Sequence, residues 1–176
     1  MWIIFYCLEK VRNNLKLWSF NFSKKTMLQT THVFLFNSKN QVLLGMKKRG
    51  FGEGKWNGFG GKNKWDETIV ETALRELHEE AWVLLTPDQV QKAGILHFYR
   101  QEKAEWDQDV HIFWWNYDGP FTETDEMKPQ WWDFDKIPYE QMWEDDHIWF
   151  PKLIAREFPL DIDFTFDPQG KLIYKN

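Results

Sequence analysis

Three glutamates, Glu76, Glu79 and Glu80, stand at i, i+3 and i+4. In a helix they would share one face. Carboxylates crowded in this way repel one another. A hard divalent cation with oxygen ligands removes that repulsion, and magnesium also bridges substrate phosphates. An acidic helix taken alone has a plainer explanation, a solvated face. A second constellation lies towards the C-terminus, where Met142 to Phe150 (MWEDDHIWF) sets Asp145 and Asp146 between Trp143 and Trp149. Aromatic faces with a few convergent polar groups suit a purine base. The same residues also read as apolar core with an acidic turn.

Positioning these residues requires a defined set of elements. Gly50 to Gly61 (GFGEGKWNGFGG) carries six glycines, which implies tight turns and close backbone approach. Phe51, Trp56, Asn57 and Phe59 are interleaved with them, unlike the small polar residues of a flexible linker. Before this loop, Thr31 to Phe36 and Gln41 to Met46 are predicted strands of a hairpin, joined by a polar turn. After it, Thr68 and Glu71 fit a capping box. Ile69, Val70, Ala73, Leu74 and Leu77 then follow at helical spacing. Further strands are predicted at Gly94 to Arg100, Val110 to Tyr117 and Trp131 to Phe134, with a charged loop from Phe121 to Pro129. A last helix is expected from Trp149 to Phe158, with Pro151 near its first turn. Ile162 to Phe166 and Lys171 to Tyr174 complete a closing hairpin. This order predicts an α+β domain, a mixed sheet packed between helices.

Bulk properties narrow the function. The 176 residues make one ordinary domain, and 43% hydrophobic with 28% charged residues is a globular balance. The formal charge of -5 and the lack of a long basic run argue against a general nucleic-acid binder. One cysteine, Cys7, excludes an internal disulfide and fits a reducing compartment such as the cytoplasm. Met1 to Leu8 is apolar but shorter than the roughly 18 residues of a membrane span, and no basic segment precedes it. Residues 1–26 are therefore taken as an extension, an extra strand or a tail, ahead of a domain at 27–176.

The run Gly61-x5-Glu67-x7-Arg75-Glu76-Leu77-x-Glu79-Glu80 resembles the Nudix box of the Nudix hydrolases. The resemblance implies the Nudix fold, a loop, helix and loop that hold magnesium (or manganese in its place) against a pyrophosphate. Under it Glu76, Glu79 and Glu80 become metal ligands, with the Gly60 carbonyl as a further ligand and Glu126 near the metals. Arg75 would pair with Glu67 or a ligand carboxylate and orient it. Val42 to Gly61 and Asp125 to Pro151 further resemble the subgroup that hydrolyses oxidised purine nucleoside triphosphates. That likeness assigns Asn57, Asp145 and Asp146 to the base. It assigns Phe51, Phe98, Met127, Trp143 and Trp149 to the pocket lining, and Lys47 to a sugar or phosphate contact. The expected activity is metal-dependent release of pyrophosphate from 8-oxo-dGTP or 2-hydroxy-dATP, by a monomer that binds neither nucleic acid nor membrane. The alternatives are another Nudix substrate or a non-catalytic Nudix domain.

The sequence also departs from the pattern. Trp82 stands where the box has glycine, and Trp65-Asp66 where Glu-Gly is common. Arg100 and Gln108 replace apolar residues of the subgroup's pocket. Twelve tryptophans exceed ordinary usage. A stop codon read as glycine by the source organism, and translated here as tryptophan, would account for both the count and Trp82; a native mass matching tryptophan at that position ends the idea.

Overall fold

A computed structural model describes residues 27–175. The extension at 1–26, with its expected strand or tail at Met1 to Leu8, lies outside the described residues. Ten elements follow in order: β1 (Leu28–Phe36), β2 (Gln41–Lys47), β3 (Trp56–Asn57), α1 (Ile69–Ala81), β4 (Gln91–Arg100), β5 (Gln108–Asn116), β6 (Met127–Asp133), α2 (Asp146–Ile154), β7 (Leu160–Phe166) and β8 (Leu172–Lys175). The strands form one mixed sheet in the order β3-β2-β1-β5-β4-β7-β8, with β6 paired to β2. β1 runs parallel to β5 and β4 parallel to β7, while the remaining pairs are antiparallel.

The sheet is covered on both faces, which explains why the second half of β1, Val33 to Phe36, is continuously apolar. Phe34 and Phe36 point to a core shared with Trp149, Phe150 and Leu153 of α2. Val33 and Leu35 point the other way, to a core shared with Ala73, Leu77 and Ala81 of α1. The period-2 alternation of side chains thus serves two cores from one strand. The expected sandwich of helices and sheet is present.

Several boundaries differ from the sequence reading. β6 begins at Met127, so Met127 to Pro129 are strand and not loop; Met127 pairs with Lys47 and Pro129 with Gly45. Pro129 is tolerated because β6 pairs only with β2 and lies at an edge. β4 starts earlier, at Gln91, across a register shift between Lys92 and Gly94. The last helix spans Asp146–Ile154 rather than Trp149 to Phe158, which leaves Pro151 inside it. Its start is set by Asp146, whose Oδ2 accepts the Trp143 N–H at 2.8 Å. Beyond its end, Arg156 takes a positive φ of 60°.

The helix that carries the glutamates begins and ends as its sequence dictates. Thr68 Oγ1 accepts the Glu71 N–H at 3.2 Å, and Glu71 Oε2 accepts the Thr68 N–H at 2.7 Å, which closes the capping box. At the other end Trp82 adopts φ 56° and ψ 25°, the left-handed conformation that glycine takes without steric cost. No helix among the described residues is long and apolar enough to cross a membrane.

Candidate active site

The glycine-rich loop is fastened along the edge of β1. The Thr31 N–H donates to the Gly61 carbonyl at 3.0 Å, and Val33 and Phe59 exchange hydrogen bonds at 2.7 and 3.1 Å. Contact here is too close for any side chain at the loop's end. A Cβ on Gly60 would lie 1.8 Å from the Thr31 carbonyl oxygen, and one on Gly61 would lie 2.5 Å from the Glu76 carboxyl. The loop therefore lays its backbone against α1, directly over two of the three glutamates.

Those glutamates share a helix face but not an environment. Glu80 is buried, its Oε2 accepts the Gly60 N–H at 2.9 Å, and its Oε1 faces Lys47 Nζ at 2.9 Å. Burial raises the Glu80 pKa, against the pull of the Lys47 ammonium. Glu76 takes Arg75 Nη1 at 2.7 Å, while Glu79 is half exposed and takes the same nitrogen at 3.1 Å. Arg75 also donates from Nη2 to Glu67 Oε2 at 3.0 Å, and Thr72 Oγ1 donates to that oxygen at 2.8 Å. These bonds hold the Glu67 carboxyl down at about 2, the Arg75 bond foremost. The expected Arg75–Glu67 pair is thus formed.

Among the described residues, no three acidic side chains converge into a ready ligand set. The charges are instead organised by cations. Lys47 Nζ lies 2.9 Å from Glu80 and 3.7 Å from Glu126, and its charge is also supported by Glu76. An ammonium held between two carboxylates marks a place where positive charge is stable. The donors, all oxygen, suit a hard divalent cation. Glu126 gives its other oxygen to Arg49 Nη2 at 2.7 Å, the bond chiefly responsible for its lowered pKa. Glu79 and Glu126 line an adjoining cleft with Trp82, Thr124 and Asp125.

From the Lys47–Glu80 end a cavity of about 500 Å³ runs between the sheet and α2. The other residues singled out in the sequence for the base and its pocket also border it. Asn57, Phe98, Met127 and Trp149 line its walls, and Phe51 and Trp143 stand at its side, stacked with ring centroids 5.2 Å apart. Phe51 is 72% exposed, so only one of its faces is covered. Phe98 stacks on Phe164 at 5.3 Å. The Oδ1 of Asn57 is already engaged by the Gly58 N–H at 2.8 Å.

Asp145 and Asp146 both reach this cavity because the chain turns into α2 at this point, with Asp145 in a helical conformation at its N-cap. Adjacent residues in a strand would face opposite ways. Trp149 Nε1 donates to Asp145 Oδ2 at 3.1 Å. Burial raises Asp145 to about 6. Asp146 is also raised well above its ordinary value, by burial first and then by the charge of Asp145. Two carboxyls this close in a dry site favour holding one proton between them.

Sequence reasoning missed several lining residues, His32 and Lys55 among them. His32 lies beneath Asn57, its Nε2 3.5 Å from Asn57 Nδ2, and burial lowers its pKa to about 4. It shares the β1 face of Phe34 and Phe36, so strand alternation would have found it. Lys55 donates to the Met142 carbonyl at 2.8 Å and lies 5.1 Å from the Trp143 ring centroid. No local pattern marks that contact.

Comparison with known proteins supplies the rest of the context. The family model described as NUDIX domain matches residues 27–153. Over 118 residues the chain is 54% identical to a Danio rerio protein named oxidized purine nucleoside triphosphate hydrolase; this covers 66% of this chain and 74% of that one. A Mus musculus protein of the same name is 48% identical over the same shares. The fold is similar to that of the MutT protein of Bacillus halodurans, with a TM-score of 0.73 at 23% identity, over 85% of this chain and 97% of that one. MutT from Methanosarcina mazei is similar at a TM-score of 0.63 and 22% identity, over 76% and 96%.

Proposed function

The chain belongs to the NUDIX domain family, and from that premise we propose that it hydrolyses oxidised purine nucleoside triphosphates to the monophosphate and pyrophosphate. One observation carries the substrate assignment. Two buried carboxyls, Asp145 and Asp146, both made weaker acids by burial, close the base end of an aromatic slot whose other end holds Lys47 and Glu80. The ionised carboxyl accepts from N–H groups of the base, and the protonated one donates to a carbonyl. Phe51, Trp143 and Trp149 supply the stacking area that a pyrimidine fills poorly.

At the phosphate end, Glu76, Glu79, Glu80 and the Gly60 carbonyl would hold a divalent cation, which when bound would supply positive charge to the phosphate oxygens and ease deprotonation of the attacking water. Magnesium fits these oxygen donors, and manganese can replace it. Arg75 holds Glu76 and Glu67 in place, and Lys47 meets the phosphates once they compete for it. Glu126, the carboxylate outside the helix, is the candidate to take the proton of the water, with Glu76 and Glu80 as the alternatives. The protein works as a cytoplasmic monomer on a small nucleotide and requires neither nucleic acid nor membrane.

The test is a panel of kcat/KM values measured with magnesium. 8-oxo-dGTP and 2-hydroxy-dATP should exceed dGTP, dATP, the pyrimidine triphosphates, dinucleoside polyphosphates and nucleotide sugars. A dinucleoside polyphosphate or a nucleotide sugar at the head of the panel would overturn the reading. Glu80→Gln should retain the fold and lose most of kcat; full activity would remove Glu80 from the metal site.

A further inference from the structure

Leu96, Phe98 and Arg100 alternate along β4, so all three side chains face the cavity. The first two are buried and apolar; the third is a guanidinium. Its backbone is fixed, because the Arg100 N–H donates to Asp107 Oδ1 at 2.8 Å. The side chain lies over Phe166, with Cζ 5.2 Å from the ring centroid. Among the described residues that side chain has no hydrogen-bond or ion-pair partner. Gln108 and Gln169 line the same part of the cavity.

Two cations act on the carboxyl pair, and they differ in availability. Lys55 acts on Asp146 but already donates to the Met142 carbonyl. Arg100 lines the same cavity and acts on Asp145 with all its donors unused. A purine edge laid against both meets an acceptor at Asp145 and a set of donors at Arg100. The edge of a 6-oxopurine of the guanine type runs donor, donor, acceptor, from N2 through N1 to O6. A 6-aminopurine presents N–H donors at the same corner, pointing at a cation.

We infer that Arg100 is a specificity-determining residue, which donates to the 6-carbonyl of a purine whose N–H groups are taken by Asp145, so that the pocket prefers 6-oxopurines to 6-aminopurines. This rests on the oxidised-purine reading above. It narrows the broad purine acceptance that a carboxyl pair alone would give. The preference has two sources, a hydrogen bond to the favoured base and an uncompensated donor–donor encounter with the other. Gln108 and Gln169 keep the wall polar around the guanidinium without competing for its charge.

Calorimetric titration of the product nucleotides tests this without involving the phosphate chemistry. 8-oxo-dGMP and 8-oxo-dAMP share the oxidised C8 and differ along the edge in question. The wild-type protein should bind 8-oxo-dGMP at least about tenfold more tightly, within the discrimination that a good donor pair supplies at a base edge. Arg100→Leu and Arg100→Met should each bring the ratio of the two Kd values towards one, mainly by weakening 8-oxo-dGMP. Equal wild-type affinities overturn the inference. So does a ratio that stays at the wild-type value in either variant, and in that case the oxidised-purine reading stands. If the wild-type protein binds neither nucleotide, both fall together.

Discussion

Asp145 and Asp146 are where the environment of single side chains has its largest effect. Both have folded pKa values above the ordinary carboxyl range, Asp145 at about 6, so the native protein holds protons that the unfolded chain gives up. Stability from this source is fully present in acid, below the ordinary aspartate value, and is lost as pH rises through the folded value. Asp145→Asn keeps an acceptor for Trp149 Nε1 and removes the charge. It should therefore stabilise the protein at pH 8 by on the order of 2 kcal/mol, and by nearly nothing at pH 4. Urea denaturation at the two pH values checks this; an equal gain at both would show that burial of the charge is not the cause. The same variant fixes one donor and one acceptor in the slot. It should change the ratio of kcat/KM for 8-oxo-dGTP and 2-hydroxy-dATP, rather than lower both alike. A ratio unchanged in both Asp145→Asn and Asp146→Asn would defeat the shared-proton account.

The helix α1 shows how an element can be locally well specified and still carry a misfit. Its capping box and apolar stripe agree with its position, but Trp82 ends it in a left-handed conformation with 63% of the residue exposed. That conformation costs a residue with a Cβ roughly 1 kcal/mol. The indole recovers part of this through an edge contact with His78, with ring centroids 5.3 Å apart. Trp82→Gly should raise stability by roughly 1 kcal/mol. Equilibrium denaturation of the two proteins is the check, and a loss of stability would show that the indole contact outweighs the backbone strain. The opposite sign is expected at the other end of the helix, where Thr68→Ala removes the cap and costs about 1 kcal/mol.

Across the molecule, the two ends of the cavity are built on different faces of one sheet. The glutamate helix packs on one face and the aspartate pair arrives with the helix on the other. The loop on the β1 edge lies between them, so the two ends of the cavity are joined through one sheet. Carboxylate repulsion at the phosphate end should make folding sensitive to divalent cations. Magnesium at a hundred times its Kd should stabilise the wild type by about 2.7 kcal/mol. For a domain of this size that is a rise in Tm of roughly 5–10 °C. Glu80→Gln and Glu76→Gln should each shrink the rise. A rise of the same size in both variants would place the cation elsewhere.

Local features explain how much of this was legible in the amino-acid order. The capping box, the helical stripe and the spacing of Glu67, Arg75, Glu76, Glu79 and Glu80 all act over one or two turns of chain, so the sequence determined α1 and the identity of its charged residues. It also determined the strand at Thr31 to Phe36, the departure from glycine at Trp82 and the aromatic character of the segment around Asp145 and Asp146. It misjudged β6, because a strand that opens Met-Lys-Pro is recognised only by its partner β2. The tertiary structure alone decided which of the chemically alike groups differ. Glu79 and Glu80 are adjacent, yet one is half exposed and the other is sealed beneath the Gly60 loop and paired with Lys47, 33 residues away. Likewise Asp145 and Asp146 become weak acids, and Arg100 keeps its donors unused, only because of what packs around them. Helix and strand periods are set by bonds between near neighbours; desolvation and charge pairing are set by segments that folding brings together from far apart.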